Sequence, residues 1–284
     1  MFNPLSVIIE AFVDELVEHY VNMYGNNESD IQLIISNARN ALEIIANSDA
    51  PYHDVNHTIM VTMVGTEILR GKILIEGSVS ANDWVHFVIS LLNHDIGYVR
   101  GICRADRSGR YAINMSYDTI APMPGSTDAS LTPYHVDRAK LYITERFESE
   151  DRIDTTVICK NIERTRFPVP SEEDHQESED FPGLIRAADL IGQLGDPQYH
   201  RKISSLFAEF KETGQAAKWV ANLYANVFTI EHEAPAYGPE RRDTVERRDQ
   251  AKSVFKAKEI SENDKRGTDR RNAGTRTAGS RSEN

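Results

Sequence analysis

Trp84-Val85-His86-Phe87-Val88-Ile89-Ser90-Leu91-Leu92 runs directly into Asn93-His94-Asp95-Ile96-Gly97-Tyr98. Apolar side chains at Trp84, Phe87, Val88, Leu91 and Leu92 follow helical spacing on a buried face. Gly97 supplies a stop. The spacing thus predicts a core helix that delivers an imidazole and a carboxylate side by side at its end. Burying such a pair is costly unless something satisfies it. Two readings are open at this point. The pair hydrogen-bonds at the helix end, or it ligates a divalent metal, for which a carboxylate oxygen and a neutral imidazole are both suitable.

Upstream, two amphipathic helices are expected. The first covers residues 5–24, with Leu5, Ile8, Phe12, Leu16 and Tyr20 in one stripe and His19 off it in solvent. The second follows the turn Asn26-Asn27-Glu28-Ser29-Asp30, with Ile31, Ile34, Ala38, Leu42 and Ile45 inward. Pro51 ends it. In Tyr52-His53-Asp54-Val55-Asn56-His57 the two histidines are four apart, so they share one face if both are helical. Read without the doublet, they are a surface histidine and a satisfied core histidine. That helix runs towards Arg70, and Gly71 to Ser80 form the loop before the core helix.

Downstream of Tyr98 the helical pattern stops for about thirty residues, longer than most connections in a compact domain. A short hairpin is expected from residues 110–114 and 118–121. Arg100, Arg104, Arg107 and Arg110 either meet a phosphate or are solvated. A helix resumes at Thr132-Pro133 and carries His135 in its first turn, where the helix dipole disfavours a protonated imidazole and favours the neutral form a metal needs. Residues 150–166 form a further helix. Residues 171–180, with His175, read as a solvated, mobile acidic loop. In Leu184-Ile185-Arg186-Ala187-Ala188-Asp189-Leu190, Asp189 sits in a small, apolar helix and needs a partner, either Arg186 one turn earlier or a metal. Helices over residues 196–210 and 216–231 complete the expected set.

The length suits one large or two small domains; the run of helical patterns is read as one all-α domain over residues 1–238, a compact multi-helix bundle with a long loop or small hairpin inserted after the doublet. A disordered, mobile polar tail is expected over 239–284, with a transient helix near 244–260. Hydrophobic residues make up 40% of the 284-residue chain, enough for a sizeable core. No stretch approaches a membrane span of about 20 residues. The tail holds 13 Lys/Arg against 9 Asp/Glu, so the rest of this chain of net charge −12 carries −16. So acidic a body is not expected to bind nucleic acid and draws cations instead. Cys103 and Cys159 lack metal-ligand spacing, and with no signal peptide a cytoplasmic protein with reduced thiols is the expectation.

His57, the His94-Asp95 doublet and Asp189, in that order and on separate helices, resemble the HD superfamily of metal-dependent phosphohydrolases over about residues 50 to 200. The resemblance implies that His57, His94, Asp95 and Asp189 ligate a divalent ion (Mg, Mn, Fe, Co or Zn) in an HD-domain-like helical core, with Asp95 the bridge if a second ion binds. Tyr52-His53-Asp54-Val55-Asn56-His57 is similar to the Tyr-His-Asn-x-x-His signature of cyclic-nucleotide phosphodiesterases of that superfamily. This makes His53 the candidate general acid. Asp54 stands where that signature has Asn, and Tyr98 stands near where those enzymes carry a further His. Resemblance to branches that complete a two-metal site with later histidines makes His135 a candidate ligand. The Gly-Tyr-Pro signature of the cyclic-di-GMP branch is absent.

The function this implies is hydrolysis of a phosphate ester of a nucleotide or similar small molecule, with His53 and Asp95 in catalytic roles. Lys140, Arg201 and Lys202 are candidate substrate-phosphate contacts from their placement near ligand-bearing helices. The alternative is a non-catalytic metal- or nucleotide-binding regulatory module. A homodimer is compatible with the sequence.

Overall fold

A computed structural model describes residues 2–214, which lie in one structural unit. The expected helix over 216–231, the tail over 239–284 and the segment near 244–260 lie outside the described residues. The architecture is all-α. Eight α-helices are present among the described residues: α1 (Pro4–Tyr24), α2 (Glu28–Ile45), α3 (Val55–Glu76), α4 (Ala81–Asn93), α5 (His135–Arg146), α6 (Thr155–Glu163), α7 (Phe181–Gly195) and α8 (Tyr199–Glu212). None is long and apolar enough to cross a membrane.

Local chemistry explains most starts. The side chains of Asn3, Asn27, Asp54, Ser80, Asp154 and Asp180 each accept from a free N–H of the first turn, of α1, α2, α3, α4, α6 and α7 respectively. The core gathers Leu16, Ile34, Leu42, Val61, Phe87, Leu91, Ile143, Ile162 and Ile185 into one cluster. The α4 helix is buried along its whole second half. Its His86 is fully used: the Nδ1 lies 2.8 Å from the Asn82 carbonyl, and the Nε2 accepts from Asp154 N at 2.9 Å.

Two close approaches position the site. A Cβ on Gly192 of α7 would stand 2.8 Å from Val61 Cα, so only glycine lets α7 lie so tightly on α3. A Cβ on Gly97 would collide with the His135 carbonyl, so glycine there lets the turn after the doublet touch the start of α5.

The expected hairpin forms, reduced to β1 (Tyr111–Ala112) and β2 (Thr119–Ile120), paired antiparallel. Several boundaries differ from expectation. The α3 helix begins after His53, not before it, and runs past Arg70 to Glu76. Residues 128–134 wind as a 3-10 helix around Pro133, and α5 opens at His135 itself. The helix expected over 150–166 is shorter because Asp154 caps it. His19 is half-buried, with its Nδ1 3.1 Å from the Thr66 hydroxyl. His175 is half-buried too, with its Nε2 3.5 Å from Glu163 and its carbonyl accepting from Arg186.

Candidate metal centre

Asp54 caps α3 by accepting from His57 N at 2.9 Å, which sets His57 in the first turn. His53 precedes the cap and is not helical, so the condition for His53 and His57 to share a helical face is not met. It is brought to the site by the turn at residues 51–54 and held from α8. Glu209, buried to 1% exposure, accepts from Tyr52 N at 2.6 Å and from His53 N at 3.3 Å, and its other oxygen lies 2.6 Å from His53 Nδ1.

The four residues taken in sequence order converge. Asp95 Oδ2 lies 3.2 Å from His57 Nε2 and 3.0 Å from His94 Nε2. Asp189 Oδ1 lies 3.4 and 3.6 Å from the same two nitrogens. His135 Nε2 is 3.9 Å from Asp95 Oδ1. His94 Nδ1 is tied to the Leu91 carbonyl at 2.7 Å and His135 Nδ1 to that of Thr132 at 2.6 Å, so each ring aims its Nε2 inward. Two overlapping triplets, His57-His94-Asp189 and His53-His57-Asp95, each keep their ligand atoms within 4.8 Å of one another.

These donors fit a divalent ion. His57 Nε2, His94 Nε2 and Asp95 Oδ2 are buried without a hydrogen-bond partner. Such a shortfall is expensive unless something else is bound. Bonds of about 2.1 Å to one ion place neighbouring ligand atoms about 3 Å apart or a little more, which is the spacing seen. The donor set of imidazole and carboxylate suits several divalent metals.

Burial pushes His57 and His94 down, but Asp95 and Asp189 outweigh it and hold both imidazoles above their usual range. Burial raises the Asp95 and Asp189 carboxyls, and the facing imidazoles overcome it and hold both low. His53 is likewise opposed by burial, yet Glu209 and Asp95 raise it to about 9. His135 is lowered by its burial. A divalent ion bound there would compete with protons for these nitrogens and oxygens.

The alternative partner for Asp189 is not used. Arg186 donates instead to the carbonyls of Arg164 and His175. Of the candidate phosphate contacts, Lys140 is bound to Asp137 and Glu163 at 2.9 and 2.6 Å, Lys202 is bound to Asp196 at 2.7 Å, and Arg201 is exposed. Arg100 is engaged by Asp128 and the Ser126 and Thr127 carbonyls, so it too is already paired. Glu209 escaped sequence reasoning. Its one signal was a carboxylate three residues after apolar Leu206, on the buried face of its helix.

An all-helical protein with a buried His/Asp cluster able to hold a divalent ion is the class that fold and site define. The family model described as Npun_R2479-like matches residues 2–219, and the chain belongs to that family. No match was found among curated proteins or solved structures.

Proposed function

We propose that this protein is a metal-dependent phosphohydrolase of the HD type, acting on a phosphate ester of a nucleotide or similar small molecule. The observation that carries this reading is the convergence of His57, His94, Asp95 and Asp189 with three buried ligand atoms left unsatisfied. A divalent ion held there supplies an acidified water and positive charge for the phosphoryl oxygens. His135, nearest Asp95 Oδ1, is the further ligand if a second ion binds.

The remaining chemistry belongs to the chain. As water adds to phosphorus, the bond to the leaving oxygen breaks, and that oxygen needs a proton. His53 supplies it. Glu209 on Nδ1 keeps the ring protonated at neutral pH and leaves Nε2–H for the leaving group. Asp95 faces three imidazoles and anchors the ion, so its loss removes both ion and activity.

The test is metal analysis of purified protein followed by a screen of nucleotides and simple phosphate esters, with Asp95→Ala beside the wild type. Bound or required divalent metal and hydrolysis lost in Asp95→Ala are expected. Full activity in that variant or in metal-stripped protein would overturn the mechanism. One observation favours a second reading, a metal- or nucleotide-binding regulatory module: Lys140 and Lys202 are neutralised by carboxylates, which leaves fewer cations for a substrate phosphate. Metal uptake without turnover of any ester would select it.

A further inference from the structure

Tyr98 ends the turn that follows the doublet, and its ring is buried. Two imidazoles stack on that ring. His53 lies with centroids 4.3 Å apart and planes 14° apart, and His135 at 4.6 Å and 23°. The Tyr98 ring is itself fixed. Tyr98 N donates to the Asp95 carbonyl at 3.1 Å, and Arg138 donates to the carbonyls on either side, Gly97 at 2.7 Å and Val99 at 2.8 Å. The Tyr98 hydroxyl faces Thr132, whose carbonyl also anchors His135 Nδ1.

Each histidine ring makes one side-chain hydrogen bond, at Nδ1, His53 to Glu209 and His135 to Thr132, and the His53 ring also meets Tyr52 and His57 edge-on. One hydrogen bond by itself does not fix the plane of a ring. A flat neighbour pressed on its face does, and parallel stacking is favourable for aromatic rings. We propose that Tyr98 is a positioning residue whose ring sets the planes of His53 and His135 and keeps the two imidazoles apart. His53 then addresses the leaving group, while His135 stays on the Asp95 Oδ1 side. This rests on the phosphohydrolase reading above. A spacer matters there because both rings approach the same carboxylate: His53 groups with His57 and Asp95, and His135 Nε2 lies 3.9 Å from Asp95.

The test compares wild type with Tyr98→Phe, which keeps both stacks, and Tyr98→Leu, which removes them. Three readouts are taken on protein shown to be folded by circular dichroism. The first is the ring-proton shifts of His53 and His135 in ion-free protein. The second is bound metal. The third is hydrolysis of para-nitrophenyl phosphate and of phenyl phosphate, whose leaving phenol is more basic and depends more on a donated proton.

Tyr98→Phe is expected to match wild type throughout. In Tyr98→Leu the upfield shifts that a stacked ring imposes disappear and metal content is retained. Turnover of phenyl phosphate falls roughly 10²-fold or more, the loss expected when general-acid catalysis is misplaced. Turnover of para-nitrophenyl phosphate falls much less. Equal losses on both esters, no loss on either, or a Phe variant as poor as the Leu variant would overturn the proposal. If Tyr98→Leu does not fold, the wild-type spectrum decides: His53 and His135 shifts without upfield displacement overturn it, and displaced shifts that persist in Tyr98→Phe support it. If wild-type protein hydrolyses none of the nucleotides and esters of the screen above, the phosphohydrolase reading fails, while the spectra still judge the stack.

Discussion

Two buried charged clusters stand within a few residues of each other, and they are built on opposite principles. Arg138 and Asp106 are both sealed from solvent. The guanidinium donates to Gly97, Val99 and Ala112 carbonyls and to both Asp106 oxygens. Asp106 also accepts from the N–H groups of Gly101, Cys103 and Ala112. Every donor has a partner, and the cluster needs nothing from outside the chain. The cluster of His57, His94, Asp95 and Asp189 is equally buried at three of its four members, yet it leaves three ligand atoms without a hydrogen bond. The first cluster ties the hairpin and the turn after the doublet to α5. The second leaves buried ligand atoms that the chain does not pair. Burial of charge alone therefore says little about function; the unsatisfied valence does.

The largest effect in this comparison belongs to the satisfied cluster. Arg138→Met leaves Asp106 buried without its counter-charge and three carbonyls without their donor. Breaking one partner of such a pair costs about 3–5 kcal/mol. Urea unfolding should show a midpoint lowered by that energy divided by the slope, with the slope itself unchanged. A loss below about 1 kcal/mol, the range of a surface pair, would show that the cluster is not the structural tie described.

The unsatisfied cluster should respond to an added solute, which the Arg138 cluster cannot do. A divalent ion at a hundred times its dissociation constant stabilises the folded state by about 2.7 kcal/mol. Thermal melts of wild type should rise with ion, and those of His94→Ala and Asp189→Asn should not. The pH dependence has a definite sign. In the ion-free protein His57 and His94 lie above their ordinary value of 6.5, so their stabilising share is present below that pH and is lost as pH rises through the raised folded values. Asp95 and Asp189 lie below 3.8, so their share is present above that pH and is lost as pH falls through the lower folded values. The ion needs neutral imidazoles, so its own stabilisation grows as pH rises through the same histidine window. Ion stabilisation that weakens with rising pH, or that is equal in His94→Ala, would remove the cluster as the binding site.

The contrast between the clusters also separates what was legible in the sequence from what was not. The helix ending in His94-Asp95 declared itself through the apolar spacing of Trp84, Phe87, Leu91 and Leu92, which is a local property. Asp189 was legible as a carboxylate misplaced in a small, apolar helix. Asp54 reads as an N-cap only once the start of α3 is known, and that start decides that His53 lies outside the helix. Glu209 was hidden because its role depends on α8 returning to a turn 156 residues earlier in the chain, a pairing no local pattern encodes. The Arg138-Asp106 tie was hidden for the same reason. In sequence, Arg138 is one charge among many on an amphipathic helix, and only the fold of the loop from Gly97 to Ala112 wraps its guanidinium.

The smallest effect tests the border between the two principles, because Glu209 is a satisfied carboxylate that serves the unsatisfied site. Glu209→Gln removes the charge; its one amide oxygen can still accept from Tyr52 N and His53 N, but its NH2 donates, so His53 Nδ1 loses its carboxylate acceptor. With that charge, His53 is raised to about 9 although its burial opposes it. Without it, the pKa falls towards the ordinary 6.5, and each unit of fall lowers the protonated fraction at higher pH by about tenfold. The acid limb of the pH–rate profile should stay in place while the alkaline limb moves to lower pH, with metal content unchanged. An alkaline limb that does not move would mean that Glu209 only fastens α8 to the turn before α3. It would leave the tether as a structural tie of the Arg138 kind, and His53 would need another source for its proton.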